Sequence, residues 1–246
     1  MRWILAVVLA GALLLFLSAD AGLYVDYLWF QSENVQQVFF TTLGYEARAF
    51  ALFGAVALLF FLGNVLLARR FSRQGRAIRR SVIADTPGGG SWLVAALIAV
   101  GLFIALLFGS GASGAWQTIA LAQHTVPFNS SDAVLHRSVS WYVFQYPFLQ
   151  FLFGWSVGLL VVTALGVGAV YALAAPGFIH LERQGAEIGP VHVTFAPPPA
   201  VMTHGAILLA IFFALRGAAY HWLSQASLLF GQHTTAFGAN YTDVNV

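Results

Sequence analysis

The chain has 246 residues, of which 59% are apolar and 8% charged, and its mean hydropathy is +0.79. A soluble domain carries roughly 25% charged residues to cover its surface; this chain lacks them, so it is not a soluble domain and must present apolar runs of about 20 residues to lipid. The absence of cysteine excludes disulfides, thiolate catalysis and sulfur-built metal sites, all eleven basic residues are Arg, which excludes lysine chemistry, and a net charge of +2 argues against a nucleic-acid partner.

The first apolar run is Trp3 to Ala19, behind Arg2. Its short positive start and the Ala19-Asp20-Ala21 run fit a cleaved signal peptide; the reading preferred is a retained first span over 3–19. Tyr24 to Thr42 is rich in aromatic residues and carries Asp26 and Glu33. Aromatics gather at membrane–water interfaces, so Tyr27, Trp29, Phe30, Phe39 and Phe40 are expected to form a belt on a short interfacial helix within an outer segment, 20–46. The second span covers 47–68, with Glu46 and Arg48 as headgroup anchors at its start. Arg69 and Arg70 close it, where positive charge suits a helix C-terminus.

Pro87-Gly88-Gly89-Gly90 breaks the chain. Ser91 caps a third span over 92–108, and the small-residue run Gly109 to Gly114 ends it. The outer segment 109–146 holds an expected turn at Asn129-Ser130-Ser131-Asp132. Pro147 suits the first turn of a helix, and the fourth span covers 147–175, where Pro176-Gly177 stops it. That is 29 residues, long for one crossing, and implies a tilted helix or first turns in the interface. In the loop 176–199, Val191, Val193 and Phe195 alternate with His192 and Thr194, the pattern of one short strand. Pro197-Pro198-Pro199 is a stiff spacer. The fifth span covers 200–223, and 224–246 is an outer tail.

The expected architecture is therefore all-α: one polytopic integral membrane domain over 1–246, with about five transmembrane helices and short interfacial helices. Arg69, Arg70, Arg73, Arg76, Arg79 and Arg80 cluster in the loop 69–91. Cytoplasmic loops are enriched in Lys and Arg, so this loop and 176–199 are assigned to the cytoplasm, the N-terminus inside and the C-terminus outside. The cluster also suits anionic lipid headgroups; bound lipids are the expected ligands, and no cofactor is required.

Candidate chemistry is sparse. Gly154-x-x-x-Gly158, followed by Gly166 and Gly168, allows close helix approach, within the protein or against a partner. Ionisable groups in a span are costly and often functional, and Arg216, His204 and His221 share the fifth. His204 and Arg216 are twelve residues apart, roughly 18 Å of rise, and do not form one site; Arg216 is expected to snorkel outward or to pair with Asp20 or Asp26. His204 is the one weak candidate ligand for a haem or pigment iron or magnesium, with an interfacial role as the plainer alternative; otherwise such a group enters only through a partner. Asn64 is expected to hydrogen-bond a neighbouring helix. Asp132 and His136 would share a face of a helical turn beside Arg137, against a plain loop-capping role.

Several strings taken together carry a resemblance: Leu28-Trp29-Phe30, Val38-Phe39-Phe40-Thr41, Leu67-Ala68-Arg69-Arg70, Val139-Ser140-Trp141-Tyr142-Val143-Phe144 with Pro147-Phe148-Leu149, and the tail Phe237-Gly238-Ala239-Asn240-Tyr241-Thr242-Asp243-Val244-Asn245. Their order and spacing resemble the N-terminal membrane part of the bacterial uncharacterised protein family 0182. The resemblance implies a multi-pass protein of the bacterial inner (cytoplasmic) membrane and carries no catalytic residues. Typical members continue past the Tyr-Thr-Asp-Val motif, so the chain is expected to be either a part of a longer polypeptide or a short member.

Three functional readings follow. The first is a structural or accessory membrane subunit that packs against other integral membrane subunits of a larger respiratory, photosynthetic or envelope complex. The alternative is a transporter or channel component, which needs Asn64, Thr163 and Arg216 on one polar path. The third is an outer-face envelope enzyme using Asp132, His136, Tyr241 and Asp243. No catalytic constellation is evident, so an enzyme is not expected.

Overall fold

The computed structural model describes residues 21–74, 89–174, 179–183, 191–195, 197–231, 238–239 and 241–242. Its contacts divide the chain into two compact units, residues 1–48 and 49–246. The expected span 3–19 and the side chains of Arg73, Arg76, Arg79 and Arg80 lie outside the described residues.

In the first unit, residues 21–32 are helical (α1), and the turn after them is a helix stop of defined chemistry. Asn34 takes a left-handed φ of 59°, the Val35 N–H donates to the Phe30 carbonyl at 2.9 Å and the Asn34 N–H to the Gln31 carbonyl at 3.1 Å. This is the Schellman arrangement, with asparagine in place of the commoner glycine. The reversal brings Tyr27 and Phe30 onto Phe39, with ring centroids at 5.7 and 5.8 Å. The aromatic belt is thus a packed cluster.

The second helix, α2 (Gln36–Gln74), is one piece of 39 residues. It joins the expected interfacial helix to the expected second span, because nothing near Glu46 interrupts a helix. At 1.5 Å per residue it is about 58 Å long, well beyond a hydrocarbon core of about 30 Å. Next come α3 (Gly89–Gly114), α4 (Trp116–Gln123), α5 (Tyr146–Ala174) and α6 (Pro199–Ala219). Two π-helical turns flank this set, Trp141–Gln145 leading into α5 and Tyr220–Ser224 prolonging α6. Among the described residues, four stretches are long and apolar enough to cross a membrane: Gln36–Ser72, Trp92–Gly114, Trp141–Leu173 and Pro199–Ser224.

The run Gly109 to Gly114 continues α3 instead of ending it. Without water to satisfy freed backbone groups, helix is retained through glycines that would fray it in solution. Between α5 and α6 the expected strand is present as β2 (Val191–Phe195), paired antiparallel with β1 (Ile179–Arg183) in the register Ile179↔Phe195 to Arg183↔Val191.

The core of the second unit lies along α2. Ala57, Phe61, Val65 and Ala68 recur at helical spacing and are buried against Ile104 of α3, Leu159, Leu160, Val167 and Val170 of α5, and Leu208 of α6. The Trp155 indole N–H donates to the Phe108 carbonyl at 3.1 Å and ties α5 to α3. Gly54 and Gly109 let α2 and α3 approach closely: a Cβ at Gly54 would stand 3.1 Å from the Ala105 carbonyl oxygen, and one at Gly109 would stand 3.0 Å from that of Phe50.

Candidate functional site

Three spans contribute one polar side chain each to a partly buried cluster. Asn64 lies on α2, five residues before Arg69; Tyr171 lies on α5, five before Pro176; His204 lies on α6, five after Pro199. All three stand at the same end of the bundle. The Tyr171 hydroxyl is 2.7 Å from His204 Nδ1, and His204 Nε2 is 3.0 Å from Asn64 Oδ1. The Asn64 amide donates to the Phe60 carbonyl of its own helix at 2.7 Å.

Donor counting fixes the directions. The Asn64 amide oxygen can only accept, so His204 donates to it from Nε2. His204 Nδ1 therefore accepts from the Tyr171 hydroxyl. The result is a one-way chain, Tyr171 to His204 to Asn64 to the Phe60 carbonyl, that holds a neutral imidazole in a single tautomer. His204 is buried, with 6% of its surface exposed, and the Phe71 and Tyr171 rings meet it edge-on, at 5.8 and 6.0 Å. Because both ring nitrogens are bonded, a metal at either one has to displace Tyr171 or Asn64. A cleft of about 380 Å³ runs between α5 and α6 from Leu160 to Tyr171, with Gly168 and Gly205 in its walls.

The other polar residues do not join this cluster. Thr163 is fully enclosed on α5, with no hydrogen-bond partner for its hydroxyl among the described residues. Arg216 is exposed on α6, its guanidinium 5.8 Å from the Phe153 ring. Arg48 folds back onto α2, donating from Nε to the Gly44 carbonyl at 2.8 Å. Of the glycines, Gly166 packs tightly, since a Cβ there would meet Phe61 at 2.9 Å. Gly158 faces Phe108 at 3.6 Å, and Gly154 has nothing within 4 Å.

Asp132 and His136 do not share a helical face. Residues 131–138 form a tight turn closed by a bridge between Ser131 and Ser138, and His136 adopts a left-handed φ of 54°. The Asp132 carboxylate accepts the N–H groups of Val134, Leu135 and Arg137 and the Tyr142 hydroxyl. Burial alone raises its pKa, but the Leu135 N–H, the Tyr142 hydroxyl and the Arg137 and Val134 N–H groups outweigh that and hold it below the usual carboxylate value. A lowered folded-state pKa stabilises the turn above the unfolded value of about 4 and loses that contribution as pH falls through the folded value. The protection of the Leu135 and Arg137 amides against exchange, taken relative to the intrinsic rate at each pH, should therefore fall on acidification below about pH 4. Asp132→Ala should cost about 1 kcal/mol of local stability, the scale of a lost carboxylate cap, and abolish that pH step.

Asp243 lies outside the described residues. Among the described residues no group of three or more His, Asp or Glu side chains could hold a metal ion.

Residues 3–246 match the family described as Uncharacterised protein family (UPF0182). A UPF0182 protein of Cupriavidus necator is 34% identical over 99% of this chain and 26% of its own length. One from Thermobifida fusca is 33% identical over 92% and 21%, and one from Pelotomaculum thermopropionicum 32% identical over 96% and 26%. The chain thus spans about a quarter of the length of these relatives. No solved structure matches it. With this match over nearly every residue, and the helical membrane architecture that accompanies it, the chain belongs to the UPF0182 family.

Proposed function

We propose that this chain is a structural packing module of a larger membrane assembly, seated in the bacterial cytoplasmic membrane with its Arg69–Arg80 segment on the inner side. The carrying observation is Arg216. It lies eight residues before the end of its span at Ser224, roughly 12 Å along the helix. There it is exposed, and among the described residues no carboxylate pairs with it. A cation left against hydrocarbon is costly unless a partner or the interface takes it, so a covering polar surface accounts for its presence. Open ground beside Gly154, Gly205 and Gly217 is consistent with such a surface, as is the shallow mutual burial of the spans, 11% for Pro199–Ser224.

Native mass spectrometry of the chain extracted from its own membrane in mild detergent tests this. The expected result is a stoichiometric complex with further integral membrane polypeptide; a lone monomer overturns it. The orientation is tested separately. A single cysteine placed beside Arg80 should resist an impermeant thiol reagent in intact cells, and labelling from outside would reverse the threading.

A second reading, a proton-linked transport component, is supported by the chain from Tyr171 through His204 to Asn64. It predicts a pH gradient-driven proton flux in proteoliposomes that His204→Ala abolishes; absence of flux in the native protein removes it.

A further inference from the structure

At the end of the bundle opposite Arg69 and Arg70, a pocket of about 410 Å³ is lined by Thr125, Arg137, Ser138, Ser140, Gln145 and two indoles, Trp141 and Trp222. Unlike the cleft between α5 and α6, its walls are mainly hydrogen-bonding side chains around one cation. We propose that this pocket binds a phosphate group, with the Arg137 guanidinium as its anchor and the neighbouring hydroxyls and amide as supporting donors.

Three features carry the assignment. Arg137 is held in place: its guanidinium carbon stands 4.5 Å from the Trp141 ring centroid and 5.3 Å from that of Trp222. An arginine fixed between aromatic faces loses little further freedom on binding. The cation is also available. Its one side-chain hydrogen bond among the described residues, from Nη2 to the His221 carbonyl, is long at 3.4 Å, which leaves its other N–H donors for a ligand or water. Finally, it is not neutralised. Among the described residues no carboxylate reaches ion-pair distance of it, and the nearby Asp132 carboxylate is occupied by three backbone N–H groups and the Tyr142 hydroxyl. A planar guanidinium with flanking hydroxyls suits a tetrahedral oxyanion, which it can meet with paired hydrogen bonds.

The pocket lies where a span ends among tryptophans, the level of lipid headgroups, but a soluble phosphate presents the same oxygens. The two sources separate in one experiment on the full chain, delipidated in a maltoside detergent that carries no phosphate. Phosphorus NMR titrations are run with inorganic phosphate and with dihexanoyl phosphatidylglycerol. Saturable binding of either, weakened at least tenfold by Arg137→Gln, supports the site; the ligand that saturates identifies the source. No saturable binding of either by the native chain overturns it, as does unchanged binding by Arg137→Gln. Should Arg137→Gln fail to keep the native melting temperature, the double variant Ser138→Ala/Ser140→Ala decides, with at least threefold weaker binding expected and native-strength binding overturning the proposal.

Discussion

Replacing His204 by alanine is expected to destabilise the bundle by about 2–4 kcal/mol, the range for deleting a large buried side chain whose site cannot collapse. Two losses combine. The hydrogen bonds across the helices are each worth about 0.6 kcal/mol on average in a membrane protein, and up to about 1.7. Deleting the imidazole also strands the Tyr171 hydroxyl and the Asn64 oxygen in a dry interior, and an orphaned buried group costs about 1–3 kcal/mol. Tyr171→Phe alone should cost about 1 kcal/mol, since it orphans only His204 Nδ1. The triple variant Asn64→Leu/Tyr171→Phe/His204→Leu should be more stable than the sum of the single losses, because it removes donors and acceptors together. Unfolding in sodium dodecyl sulfate titrations, followed by tryptophan fluorescence, measures all of these. A His204→Ala protein that unfolds at the native detergent fraction would mean that the chain of hydrogen bonds does not hold these helices.

Hydropathy made the spans legible, because a helix in lipid has to be apolar over a fixed length. Their ends were less so. The expected break at Ala47 rested on an aromatic belt and on Glu46 and Arg48 read as headgroup anchors, neither of which interrupts a helix; that at Gly109 rested on a propensity learned in water, and lipid changes the balance: a helix through Gly109 to Gly114 keeps its backbone bonded, and a break there would not. The short strand at Val191–Phe195 was visible in its alternation; its partner Ile179–Arg183 carries a shorter one, Ile179 and Leu181 against His180 and Glu182, that was not read. In the partly buried cluster, Asn64 and His204 stood out one at a time, and Tyr171 did not stand out at all. A signal was present: each lies five residues from the marker that ends its span, Arg69, Pro176 or Pro199. Depth counted from one common end of the bundle brings the three together, whereas spacing along the chain separates them by as much as 140 positions. The phosphate pocket was harder to read, because Trp222 joins Arg137 from the far side of two helices.

A leucine at Gly54 should disrupt the protein, and a leucine at Gly154 should leave its own fold intact; the contrast separates packing within the chain from packing against a partner. At Gly54 the first added carbon already stands 3.1 Å from the Ala105 carbonyl oxygen and 3.6 Å from the Gly109 Cα. Those atoms are backbone and cannot rotate away, so α2 and α3 have to separate. Separation carries Phe108 away from Trp155 and breaks the 3.1 Å hydrogen bond that ties α5 to α3. The expected loss is about 3 kcal/mol, the upper end for an overpacked core, seen as a lower unfolding midpoint or as failure to yield a monodisperse protein. Gly54→Ala, which adds only that first carbon, should retain the fold at a cost of about 1 kcal/mol. Gly154 meets nothing within 4 Å, so Gly154→Leu should change the stability of the chain by no more than about 0.5 kcal/mol, as for substitutions on an open surface. Its effect should fall instead on the yield of the larger complex, which native mass spectrometry reads directly. If Gly154→Leu lowers both the stability of the isolated chain and the yield of complex, Gly154 packs within the chain; if it lowers neither, that face of α5 meets lipid, and the surface that covers Arg216 has to lie elsewhere on α6.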